Sequence, residues 1–176
     1  MFKTILMSVA VLATFANVST AQLSPAATAS VTIGGKSLSI RYSAPSVRGR
    51  QIFGDNGVVS RDPTYPAWRA GANEATSFHT DADLDLGGLR VPKGSYTLFV
   101  WVKDPNAWEL IVNKETGQWG LSHNVSQDLG RVKMTMSKPP STVERLKYTL
   151  TDKGAGQAEL RLEWEAHIAT VPITLK

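Results

Sequence analysis

The chain contains no cysteine. This excludes disulfides, thiol catalysis and lipid attachment at an N-terminal Cys, so stability must come from the core alone. Long hydrophobic runs are missing after the first two dozen residues, and no later stretch approaches the roughly 18 apolar residues that a membrane helix needs. Charge of one sign is not in excess: 19 Lys+Arg against 15 Asp+Glu leave +4 over 176 residues, too mild a balance for a nucleic-acid binder. Helical periodicity does not persist for more than a turn or two anywhere after the start. The motifs G-x-S-x-G, the Walker loop, G-x-G-x-x-G and H-E-x-x-H are also lacking, so no cofactor, metal or reaction is implied. With 42% hydrophobic residues the chain suits one globular domain with a core of its own.

The first residues read as a targeting segment. Lys3 precedes the run I-L-M-S-V-A-V-L-A-T-F-A, and S-T-A at 19–21 offers small residues for a signal peptidase. The expectation is a signal peptide over 1–21, a single domain over 22–176 and a periplasmic or secreted protein with no membrane association once the signal is removed.

From there the pattern alternates with period 2, which predicts an all-β, antiparallel two-sheet sandwich or flattened barrel of roughly nine short strands. A-T-A-S-V-T-I, Gly34-Gly35 and K-S-L-S-I-R-Y form a first hairpin, with Leu38, Ile40 and Tyr42 facing in and Ser39 and Arg41 out. Residues 44–67 lack periodicity and predict a long irregular excursion. H-T-D-A-D-L-D-L reads as a strand with an acidic outer face. S-Y-T-L-F-V-W-V is apolar on both faces, as a central strand covered on both sides would be. Near the C-terminus the apolar positions change phase, which requires a turn or bulge between about Glu165 and Thr170. Pro172 cannot donate to a ladder and predicts an edge or a bulge.

Few residues carry candidate chemistry. His79, His123 and His167 do not pair at metal-ligand spacing. D-A-D-L-D-L-G fails as a calcium loop because its glycine falls one place late and Pro92 stands where the closing Glu belongs. Asn124-Val125-Ser126 fits a glycosylation acceptor. W-R-A-G-A-N-E-A-T-S-F, at 68–78, is more specific. Period 2 counted back from Phe78 places Glu74 at the rim of the sandwich, where Arg69 could fold back on it as a bidentate pair. Such a pair serves either to anchor the loop or to hold a ligand. Arg41, Arg48, Arg50, Arg61 and Arg69 also fall within one arginine-only stretch, and guanidinium groups suit carboxylate or phosphate. Trp119 follows the turn Glu115-Thr116-Gly117 rather than lying in a strand, a position from which it can stack on a ligand or pack at the rim. The candidate binding residues are thus Arg69, Asn73, Glu74, Trp119, Arg41 and Arg50.

The blocks R-Y-S-A-P-S-V-R-G-R-Q-I-F-G, W-R-A-G-A-N-E-A-T-S-F, V-P-K-G-S-Y-T-L-F, N-K-E-T-G-Q-W-G and L-R-L-E-W-E together resemble, in that order, the exported bacterial DUF2911 proteins, from about Ser24 to Ile173. The resemblance implies an exported β-rich domain and brings no catalytic residue or cofactor with it. The segment from Phe53 to Trp68 is longer than the short connection usual in the family. Two functional readings follow from the residues: a binding or accessory module for a small polar or anionic ligand, or an enzyme using Glu74 as acid or base. A structural or partner-binding role is the third.

Overall fold

A computed structural model describes residues 23–176; the expected signal peptide lies outside them. Among the described residues thirteen strands fold into two antiparallel sheets, several being two or three residues long, which accounts for the excess over the nine expected. The first sheet runs β1 (Ala26–Ile33), β2 (Lys36–Ser43), β4 (Thr76–Thr80), β7 (Gly94–Trp101), β8 (Glu109–Asn113) and β9 (Asp128–Lys133), with β3 (Ala67–Trp68) also on β7. The second runs β11 (Val143–Gly154), β12 (Gln157–Glu165), β13 (His167–Leu175), β5 (Leu84–Leu86) and β6 (Leu89–Val91), with β10 (Thr135–Ser137) on β13. The sheets do not close into a barrel, so of the two architectures expected the sandwich is the one formed.

Local chemistry explains most of these elements. Gly34 and Gly35 sit at φ +52° and +74°, as a two-residue hairpin with primed-turn geometry requires. β7 occupies the middle of its sheet. Tyr96, Leu98 and Val100 join the inter-sheet core while Phe99 and Trp101 pack with Ala67 and Ile111 on the opposite face. The phase change falls at Glu165 (φ +54°) and Ala166, a tight turn that pairs Trp164 with His167.

Two expectations are corrected. H-T-D-A-D-L-D-L is two strands in different sheets. The Thr80 side chain caps the intervening bend, with Oγ1 2.7 Å from the Ala82 carbonyl and 3.2 Å from its N–H. Pro172 lies on β13, which is interior to its sheet. It falls between the residues of β13 paired with β10 (168–170) and those paired with β5 (173–175), a local gap in which a missing donor is tolerated. The irregular excursion forms as expected and runs from 44 to 66, β3 beginning at Ala67. It contributes Ile52, Phe53 and Val59 to the core and closes one end of the sandwich, with Phe53 4.8 Å from Trp108 and 5.5 Å from Trp68.

Candidate functional site

Arg41, Ser77, Thr97 and Asn113 stand opposite one another across β2, β4, β7 and β8. Residues in such register share a face, and because Tyr42, Phe78 and Leu98 point into the core, this row lies on the outer face of the first sheet. The next row on the same face is Ser39, His79 and Ser95.

The segment 114–127 folds back over this face. Asn113 Nδ2 donates to the Asn124 carbonyl at 2.9 Å, and Thr97 Oγ1 donates to Gln118 Oε1 at 3.3 Å. A backbone bridge joins Glu74 to Trp119. The far end is pinned by a buried contact of His123 Nε2 with Asp128 Oδ1 at 2.8 Å, with Phe99 4.5 Å from the imidazole. The segment and the sheet enclose an open cleft of about 640 Å³ lined by Arg41, Glu74, Ser77, Thr97, Gln118 and Trp119 among others. Trp119 is 55% exposed, far more than a packing role calls for.

The six candidates thus divide. Arg41, Glu74 and Trp119 share the cleft. Arg69 and Arg50 line a different cavity, at the end closed by the excursion. Asn73 stands between the two, its Nδ2 donating to the Ser24 carbonyl and to Ser43 Oγ, each at 3.1 Å. The expected Arg69–Glu74 pair does not form. Arg69 lies 3.5 Å from Asp62 instead, and Glu74 is exposed. Alternation does not extend back from Phe78 because β4 begins only at Thr76, and Glu74 lies before it, bridged to Trp119 instead.

Ser77, Thr97 and Gln118 are not among the candidates that the sequence offers, although Gln118 follows the same turn as Trp119. One signal for Thr97 was available: it is the polar residue inside a strand otherwise apolar on both faces.

On the second row, His79 bridges Ser95 Oγ (Nδ1, 2.9 Å) and Asp81 Oδ1 (Nε2, 3.0 Å). That contact holds the Asp81 carboxyl below its ordinary value. The order Ser–His–Asp is that of acyl-transfer enzymes, but the ring is reversed, since the nucleophile there faces Nε2. Both His79 and Asp81 also stand half in water. The chain is a surface tie between strands.

An antiparallel sandwich with a polar cleft folded over its outer sheet is the class these observations define. The sequence model of the family described as "Protein of unknown function (DUF2911)" matches residues 24–173, and the chain belongs to that family. No curated protein and no solved structure matches it.

Proposed function

We propose that the protein is an exported binding or accessory module whose outer-face cleft takes a small polar ligand. The observation that carries this reading is the meeting of Arg41, Glu74 and the exposed Trp119 around one open cleft with Ser77, Thr97 and Gln118. An exposed indole offers a stacking face, a guanidinium and a carboxylate supply charged donors and acceptors, and hydroxyl and amide groups fix orientation, the combination expected of a polar-ligand pocket. Sugars and sugar acids fit it best, because they present a flat apolar face together with hydroxyl or carboxylate groups. Export rests on the charged start, the short apolar run and the S-T-A site, and intact-mass analysis of the secreted or periplasmic chain should give an N-terminus at Gln22.

Thermal melting across sugars, sugar acids, phosphates and dicarboxylates tests the binding reading, since a ligand raises Tm according to its concentration over Kd. Trp119→Ala and Arg41→Gln should each weaken such binding about tenfold or more, about 1.4 kcal/mol. A complete lack of response in the wild-type protein, or responses indifferent to both substitutions, would refute it.

A further inference from the structure

The cavity at the excursion end is lined by Arg50, Arg61 and Arg69 against a single carboxylate, Asp62. We infer that it is a second binding site, independent of the outer-face cleft, for a small organic anion presenting a carboxylate or phosphate.

Arg69 carries the argument because its guanidinium is poorly bonded. Its side chain is only 18% exposed, yet Nη2 lies 3.5 Å from Asp62 Oδ2 and Nη1 lies 3.4 Å from the Asn73 carbonyl. Charge-assisted hydrogen bonds are usually about 2.7–2.9 Å. Its Nε is buried with no acceptor among the described residues. Asp62 cannot readily approach closer, because Thr64 holds Oδ1 through its N–H at 3.2 Å and its hydroxyl at 2.9 Å. Trp164 lines the same cavity, is 3% exposed, and its indole Nε1 also lacks an acceptor among the described residues. Buried donors without partners are rare and call for an explanation. Arg69 and Trp164 both line this cavity, where three guanidinium groups stand against one carboxylate, an excess of positive charge and donors that an anionic acceptor answers.

Arg50 is already committed, its Nη2 donating to the Ser46 carbonyl at 2.6 Å and its Nε to the Val47 carbonyl at 3.1 Å, so it contributes chiefly charge. Arg61 donates to the Asn56 carbonyl at 3.1 Å from an exposed position, and its other donors are free to swing toward a ligand. Val58 and Leu121 line the same cavity and are exposed large apolar residues. The cavity, of about 300 Å³, therefore suits an anion with an apolar body about the size of one aromatic ring.

The experiment titrates the protein with inorganic phosphate, acetate, benzoate and phenyl phosphate at constant ionic strength, following heat of binding and the five tryptophan indole N–H resonances. Benzoate or phenyl phosphate should bind more tightly than its counterpart without a ring, and comparing them with each other shows which head group is preferred. The Trp164 resonance should move while that of Trp119 stays. Arg61→Gln and Arg69→Lys should each weaken binding at least about tenfold, the second because it keeps the charge but loses the fork. Arg41→Gln and Trp119→Ala, in the other cleft, should leave this binding unchanged. Should Arg69→Lys fail to fold, Arg61→Gln decides alone. The inference is overturned if none of the four anions binds, if chloride matches them, if Arg61→Gln binds as the wild type does, or if the loss follows Arg41→Gln instead.

Discussion

The outer-face cleft and the end cavity are built in opposite ways. The cleft rests on strands in register, so its polar row follows from period 2, and its charged groups Arg41 and Glu74 stand in water. The end cavity rests on an irregular excursion packed against both sheets. Its arginines meet Trp68 of the first sheet and Trp164 of the second, whose rings stack 5.6 Å apart. The contrast separates two kinds of charge. In the cleft, charge can be altered at little cost to the fold, whereas at the end Arg69 is partly buried and paired with Asp62.

Removing an aromatic from the end should have the largest effect. Trp68→Ala deletes a fully buried side chain and should cost about 3–5 kcal/mol in urea unfolding, whereas Trp119→Ala should stay within about 0.5 kcal/mol. Equal costs for the two would erase the distinction.

Gly120 tests whether the two regions can be altered separately. A methyl group there would fall 2.3 Å from Arg69 Cδ and 2.7 Å from the Asn73 carbonyl oxygen. Gly120→Ala should cost about 1–3 kcal/mol as overpacking and shift NMR signals on both sides of the 71–75 segment. Signals confined to one side would mean that the regions do not communicate through this contact.

The two carboxylates sharpen the comparison further. Asp62→Ala strips Arg69 of its ion-pair partner and should cost about 1–3 kcal/mol, with the surrounding water and chain flexibility holding it toward the lower figure. Glu74→Gln should fall within about 0.5 kcal/mol. The sequence reading, with Glu74 as the buried partner, requires the reverse order.

The smallest expected effect is on pH dependence. Burial against Phe53 and Trp108 lowers the His167 pKa from its ordinary 6.5, partly offset by Glu165 3.3 Å away. The unfolded chain then binds a proton more readily than the folded one, so stability should fall as pH drops through about 6.5 and level off below the folded value. His167→Gln should flatten that step. The Asp81, Asp83 and Asp85 carboxyls are lowered instead, so their contribution is lost only at more acidic pH, which keeps the two windows apart. A step in stability near 6.5 that survives His167→Gln would assign it to another group.

Much of the sandwich was legible along the chain. The alternation of Leu38, Ile40 and Tyr42, the two-faced apolar β7 and the phase change near Glu165 each follow from local patterns, because a strand's side chains alternate whatever its neighbours are. The candidate site was legible only in part. Arg41, Glu74 and Trp119 were singled out for different reasons, and nothing in their spacing showed that they share a cleft. That required the 114–127 segment to fold back across the sheet through Asn113, Gln118 and His123.

What the sequence determined by itself was therefore the absence of thiol chemistry, from composition, and what depends on a period of two: strand content, the inward and outward faces and the first hairpin. Tertiary structure alone decided which acid Arg69 meets, where Glu74 points and that the arginines serve two cavities. The physical reason lies in residues such as Glu74, which stands before β4 begins at Thr76 and is placed by its bridge to Trp119, 45 residues away. Asp62 and Trp164, for their part, reach the same cavity from places about a hundred residues apart, a separation whose closure cost grows only logarithmically with length and that no local pattern records.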